Sequence, residues 1–319
     1  MISNGSSRGD KSIKAIIICG PTGSGKSSVG LELATRYGGS IIGADSRQIY
    51  RRLDIGTAKP SKADRQRIPH HLIDVADITE NFTARRYAEL AGEAIEHIGQ
   101  ADSIPIIVGG AGLYIEALTR GLFEGPERDS QLRSELEARA DFEGSDVLYR
   151  ELMEIDPESA KGFSPNDVIR IIRALEIFKL TGKIPSQMKK AGRHSIPEAE
   201  YYWIGLDLPR SELYDRINCR VDKMVSDGLI AEIEELIADG LAEPIKKKKI
   251  VGYYEIIGAL EGKTSIDEAL ELAKQHSRNY AKRQMTWFRN RACPNWLNSN
   301  KDQFYDKVFG GLDEYLKRA

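Results

Sequence analysis

Short, nearly continuous apolar runs recur through the first hundred-odd residues, separated by stretches of helical period. Lys14–Cys19, Ser40–Ala44, His70–Ile73 and Ser103–Val108 read as four strands, and the near-continuous Ile and Val in such runs suit a parallel sheet buried on both faces. Helical patterns at Lys26–Arg36 and Thr83–Ile98 lie between them, and Tyr201–Leu206 reads as a fifth strand. Alternation of this kind predicts a three-layer α/β core. Residues 125–195 break the pattern: they read as several helices, punctuated at Asp156-Pro157, Ser164-Pro165-Asn166 and Thr181-Gly182-Lys183. That is far longer than an ordinary loop, so an inserted helical subdomain is expected within a core formed by 13–124 and 196–319. After Pro209 the chain reads as helical throughout. Thr264, Ser265, Asp267 and Glu268 supply cap chemistry for a helix running to about Asn290, roughly 40 Å long.

Composition narrows the class. The 319 residues are 41% hydrophobic and 29% charged, as in an ordinary globular protein. Cys19, Cys219 and Cys293 are scattered without paired spacing, which argues against disulfides and zinc. No apolar run reaches membrane-spanning length, and residues 1–12 lack a signal core and read as a flexible tail; a cytoplasmic protein that does not bind membranes is expected. The net charge is only −2, yet Ile245–Ala292 carries six more positive than negative side chains. Charge alone leaves that basic stretch open between a solvated face and an RNA footprint.

The candidate chemistry begins at Gly20-Pro21-Thr22-Gly23-Ser24-Gly25-Lys26-Ser27, which fits G-x-x-x-x-G-K-[ST] between a strand and a helix. Glycines let backbone N–H groups converge on an anion, and the helix start adds a favourable dipole. Lys26 would neutralise a terminal phosphate and Ser27 would ligate Mg2+. The core is therefore expected to be P-loop NTPase-like, with a parallel sheet and a helical C-terminal region. Asp45 follows the second strand, so it is expected beside this loop. There it could hold Mg2+, act as a base, or merely cap the turn at Ser46. The fourth strand ends in Gly109-Gly110, without the acid of an ordinary ATPase. Ile55–Pro60 is a tight loop with a cation and a hydroxyl, a weak signal alone. His70 and His71 would face opposite sides of a strand, which disfavours a shared metal.

Taken together, these segments resemble the tRNA dimethylallyltransferases, or tRNA isopentenyltransferases. The resemblance is carried by Gly20–Ser27, Asp45–Tyr50, Asp54–Pro60, Pro69–Asp74, Val108–Tyr114, Ser164–Asp167, Arg173–Glu176, Val251–Tyr253 and Tyr280–Arg289, in order along most of the chain. It implies transfer of the dimethylallyl group of dimethylallyl diphosphate to the exocyclic amine of the adenosine 3′ of the anticodon, with Mg2+ required. Asp45 then matches the base, while Thr22 and Arg220 match contacts to the bridging oxygen of the leaving diphosphate. Ser46 and Gln48 become candidates for binding the flipped base. Asn166, Arg170 and Arg173, with Lys282, Arg283 and Gln284, become candidates for the anticodon stem-loop. The inserted helices would clamp the RNA, and a monomer is the simplest expectation. Trp287 and Phe288 favour core packing over stacking.

Some positions depart from that pattern: Ala111 where Thr or Ser is usual, Arg52 where Gly is common, and Tyr254 where a basic residue often stands. Three rivals remain at this level: an adenylate isopentenyltransferase acting on free AMP, ADP or ATP, a P-loop kinase of a small metabolite, and an RNA-binding protein with an inactive phosphate loop.

Overall fold

The computed structural model describes residues 12–123, 125–190, 199–292, 294–300 and 302–317. The tail expected over residues 1–12 thus lies, but for its last residue, outside the described residues, as does Cys293. Six parallel strands form one sheet: β1 (Ile13–Cys19), β2 (Gly39–Ala44), β3 (His70–His71), β4 (Ile104–Gly109), β5 (Ala199–Asp207) and β6 (Asn295–Asn298). Their order is β3-β2-β4-β1-β5-β6.

The period of two along β1 accounts for the layers. Ala15, Ile17 and Cys19 enter one core cluster, while Ile16 and Ile18 enter the other, and all five are fully buried. Each buried isoleucine contributes roughly 1.5–3 kcal/mol. On the first face the sheet is covered by the helices Ala84–Gln100, Leu229–Ala238 and Tyr253–Leu260, and by Phe288 of the long helix Ile266–Arg291. On the other, Val29, Leu33 and Ala34 of the helix Lys26–Tyr37 pack beside Phe304, Val308, Leu312 and Tyr315 of the helix Phe304–Lys317. The 26-residue helix starts at a capping box of Ser265 and Glu268, where the sequence places it. Phe288 is fully buried and Trp287 packs partly against the same core, as aromatic neighbours on a covered helix do.

Two expectations are corrected. The third strand stops at His71, because Leu72 (φ 59°) and Asp74 (φ 59°) turn the chain through the left-handed region. The region after Pro209 is not all helix, because Asn295–Asn298 pairs with β5 and seats Trp296 over Gly205. Arg52 also has left-handed backbone (φ 69°), which explains why glycine suits that position; here its side chain pairs with Asp239.

The chain divides into two compact units, Met1–Thr119 with Ile196–Ala319, and Arg120–Ser195. The second contains the helices Ser130–Glu143, Ser145–Ile155, Pro157–Lys161, Val168–Thr181 and Pro185–Lys190, around Leu136, Leu148, Leu152, Ile171, Ile172 and Leu175. Its buried Asp156 accepts hydrogen bonds from the backbone N–H groups of Ser159 (3.0 Å) and Ser186 (2.8 Å), so the Asp-Pro signal is a helix cap that also docks the last helix.

Register sets the edge where the loops after β1, β2 and β4 gather. Gly109 stands level with both Cys19 and Ala44, and Cys19 is level with Gly205. The approach is tight, since a Cβ on Gly109 would lie 1.9 Å from the Ala44 carbonyl oxygen. Gly109→Ala is therefore expected to cost about 3 kcal/mol or more, the upper end for overpacking, because the obstacle is backbone. Gly310, helical and with open space at its Cβ, is the control: Gly310→Ala is expected to gain up to about 1 kcal/mol from helix propensity. Urea unfolding midpoints test both.

Candidate active site

The ends of β1, β2 and β4 deliver three segments to one place. After Cys19 the chain turns through Gly20 (φ 146°), Gly23 (φ 83°) and Gly25 (φ 88°) before the helix begins at Lys26. At Gly20 a Cβ would lie 2.7 Å from the Leu206 carbonyl oxygen, so neither a side chain nor an ordinary φ is possible there. Lys26 Nζ donates to the Pro21 carbonyl (2.7 Å), reaching across the loop it follows. Desolvation pushes its ammonium down to about 8; Asp45 opposes that shift and the charge of Arg220 adds to it. Ser27 is exposed at the helix start, while the buried Ser24 hydroxyl has no hydrogen-bond partner.

Asp45 leaves the end of β2 beside this loop. Its Oδ1 accepts from the backbone N–H groups of Arg47 (2.8 Å) and Gln48 (3.4 Å). The capping role is real, and it occupies only that oxygen. Arg220, on the helix Arg210–Ser226, donates from Nη1 to Thr22 Oγ1 (3.0 Å) and from Nη2 to the Thr57 carbonyl (3.4 Å). The structure therefore brings Thr22, Asp45 and Arg220, expected from three distant segments, to one cavity of about 240 Å3. Its polar wall is completed by Arg47 and Thr57; its apolar wall is Ile217, Val221, Met224, Leu229, Ile250 and Ile256.

The long helix closes the cavity with Ala273, Ser277, Tyr280 and Arg283, spaced at helical turns. Burial pushes the Tyr280 phenol up to about 12. Gln284 is corrected from its expected place on the RNA: only 6% exposed, it accepts from the Thr22 N–H at Oε1 (2.8 Å) and donates from Nε2 to the Gly110 carbonyl (3.0 Å). A Cβ on Gly110 would lie 2.1 Å from that Nε2, which gives a steric reason for glycine where an ATPase has an acid. Arg173 pairs with the buried Glu176 (2.7 Å) and donates to the Pro126 carbonyl (2.7 Å) within the insertion. Gln48 spends its amide nitrogen on the carbonyls of Thr57 and Ala58, both at 3.0 Å. Ser46 shares a hydrogen bond with Tyr280. Lys282 and Arg283 are exposed, the latter with its guanidinium over the Tyr280 ring; Asn166 and Arg170 are exposed on the insertion, where Arg170 pairs with Asp167.

Other sequence signals have structural roles. Lys246 pairs with Glu243 and Glu261, and Lys248 donates to the Glu80 carbonyl above the Tyr50 ring, whereas Lys249 lines the cavity. His70 Nδ1 lies 2.7 Å from the Ile68 carbonyl, and burial lowers the pKa of both His70 and His71. Among the described residues no group of three or more His, Cys, Asp or Glu is arranged to hold a metal. Cys19 is a free, buried thiol pushed up to about 12 by that burial. Arg47 and Thr57 were marked in the sequence only by the loop motifs that contain them, and Lys249 only by the basic stretch it belongs to.

Comparison with known proteins gives the family. The family model for IPP transferase matches residues 48–291. A tRNA dimethylallyltransferase of Geobacter metallireducens is 45% identical over 288 residues, covering 90% of this chain and 93% of that one. Another, from Citrifermentans bemidjiense, is 45% identical over 96% of this chain and 98% of its own. Among solved structures, the full-length tRNA isopentenylpyrophosphate transferase of Bacillus halodurans aligns with a TM-score of 0.68 at 39% identity, covering 95% of both chains. A eukaryotic dimethylallyltransferase captured acting on tRNA aligns with a TM-score of 0.81 at 28% identity, covering 96% of this chain and 80% of that one. With a phosphate loop, an acid and an arginine meeting at one cavity, and with relatives matched from end to end, the chain belongs to the IPP transferase family.

Proposed function

We propose that this protein transfers the dimethylallyl group of dimethylallyl diphosphate to the exocyclic amine (N-6) of the adenosine 3′ of a tRNA anticodon, releasing diphosphate. The observation that carries the reading is the meeting of Thr22, Arg220 and Asp45 beneath an apolar wall. The phosphate loop and Lys26 receive the diphosphate, and the apolar wall suits a five-carbon allyl group. As the carbon–oxygen bond breaks, the electron pair goes to the bridging oxygen, where Thr22 and Arg220 supply donors fixed in advance. The amine nitrogen forms the new bond to carbon and loses a proton, which Asp45 accepts. A kinase-type pocket would not need that apolar wall, and the named relatives favour tRNA over a free adenylate.

The residues present fit Mg2+. That ion is commonly held by one or two protein oxygens together with substrate phosphates, and the exposed hydroxyl of Ser27 stands at the helix start beside Lys26. When bound, it would neutralise charge on the departing diphosphate. Lys282 and Arg283, beside the cavity mouth, are the proposed phosphate contacts for the anticodon stem-loop, with Asn166 and Arg170 on the insertion as further candidates. Ser46, near Tyr280, is the proposed neighbour of the flipped base. A monomer is the simplest arrangement for this activity. No described helix is long and apolar enough to cross a membrane, and action on tRNA fits a cytoplasmic location.

Incubation with Mg2+, dimethylallyl diphosphate and unmodified tRNA, followed by nucleoside mass spectrometry, is expected to give the adduct on tRNA adenosine and none on AMP in a parallel tube. An adduct on AMP alone would move the protein to adenylate chemistry. Asp45→Asn, which keeps an oxygen for the turn, is expected to lower kcat by about 10²–10⁴-fold with diphosphate affinity little changed; near-wild-type turnover would remove Asp45 as the base. Lys26 is cationic below its pKa of about 8, so diphosphate affinity should fall as pH rises through that value. Calorimetry on Lys26→Met should show this pH dependence flattened. Replacing Lys282 and Arg283 by Ala is expected to weaken tRNA binding and make its salt dependence shallower, by roughly one unit of slope for each phosphate no longer neutralised.

A further inference from the structure

The Thr57 carbonyl that receives Arg220 sits in the middle of the loop Asp54–Pro60, and that loop is anchored at both ends. At its start, Glu232 of the helix Leu229–Ala238 accepts at Oε2 from the backbone N–H groups of Ile55 (2.8 Å) and Asp54 (3.2 Å). Its Oε1 accepts from the Tyr253 hydroxyl (2.5 Å). Two consecutive amides and a phenol thus converge on one carboxylate, and hydrogen bonds to an ionised acceptor are about twice as strong as neutral ones. Tyr253 is itself fully buried, and its ring fills the space that a side chain at Gly56 would take: a Cβ there would lie 2.4 Å from the ring. At the far end Lys59, with a side chain 2% exposed, donates to Asp54 (2.6 Å), Asp74 (2.5 Å) and the Tyr50 carbonyl (2.6 Å). Between the anchors, the Thr57 hydroxyl bonds back to the Leu53 carbonyl (2.6 Å), leaving the Thr57 carbonyl for Gln48 and Arg220.

Neither Glu232 nor Tyr253 is among the cavity's polar groups. We propose that Glu232, oriented by Tyr253, is a positioning residue for Arg220: it holds the Asp54–Pro60 loop so that the Thr57 carbonyl aims the guanidinium at Thr22 and the departing oxygen. The proposal rests on the reading of this site as a dimethylallyl transferase. Its physical content is that Arg220 divides its donors: one goes to Thr22, one to Thr57, and the rest are aimed by those two. Loosening the loop lets the fork rotate, and misplacement by about 1 Å can cost on the order of 100-fold in rate.

The test is steady-state dimethylallyl transfer to tRNA by Glu232→Ala, Glu232→Gln and Tyr253→Phe, each alone and with Arg220→Ala, alongside thermal melting. Glu232→Ala is expected to lower kcat by about 10- to 100-fold, with KM for tRNA nearly unchanged. Glu232→Gln should recover part of the rate, since its amide oxygen still accepts. Tyr253→Phe, which keeps the ring against Gly56, should show a smaller decrease in the same direction, and it supplies the comparison if Glu232→Ala does not fold. In the Arg220→Ala background these changes should add little, because residues acting through one group are non-additive. Decreases of equal factor with and without Arg220, an unchanged kcat, or an effect on KM for tRNA alone would each overturn the proposal. Failure of the wild-type protein to prenylate tRNA is a separate result, seen before any variant is compared, and would sink the functional reading instead.

Discussion

The site depends on a buried amide, that of Gln284. Burying a primary amide without partners costs several kcal/mol in an apolar surrounding, and here both ends are satisfied by backbone, the Thr22 N–H and the Gly110 carbonyl. These two groups belong to the segments leaving β1 and β4, which the sheet register has already brought level. The long helix is therefore fixed to the phosphate loop by a hydrogen-bonded link rather than by apolar contact alone. Everything that helix presents to the cavity, from Ala273 to Arg283, inherits its position from that link.

The charge distribution follows the same logic. Arg47, Arg220, Lys249 and Arg283 line the cavity, Lys26 stands near enough to feel the charges of Asp45 and Arg220, and Asp45 is the one carboxylate among the described lining residues. Lys26 and Arg220 are both shifted down by desolvation, and the charge of Arg220 adds to the shift on Lys26. An incoming polyanion relieves this repulsion, so part of the energy that holds the cations in place is returned on binding.

Much of this was legible in the sequence, for local reasons. Strands β1, β2 and β4 announce themselves through isoleucine runs, β5 through its Tyr-Tyr-Trp-Ile stretch, and the phosphate loop through glycines that only a left-handed turn needs. Asp45 could be placed because a residue ending a parallel strand has few places to go. Arg220 was different: nothing marks a polar residue in a helix as functional, and only the family resemblance pointed to it. β6 was hidden because Asn295–Asn298 lacks β-branched residues and is made a strand by its neighbour, not by propensity. Gln284 was misplaced because a polar residue in a basic helix reads as exposed; what buries it is a glycine pair far away in sequence. The carbonyl of Thr57 could not be foreseen at all, since main-chain acceptors carry no mark in a sequence.

The burial of Cys19 has a consequence for chemical self-protection. An allylic diphosphate is an alkylating agent, and a thiolate next to the phosphate loop would be a better nucleophile than an adenine amine. Cys19 is the last residue of β1, one position before that loop. Packed inside the sheet, with its pKa raised to about 12, it stays a neutral thiol at any physiological pH. The strand that leads into the phosphate loop thus presents no thiolate to an electrophile held at that loop.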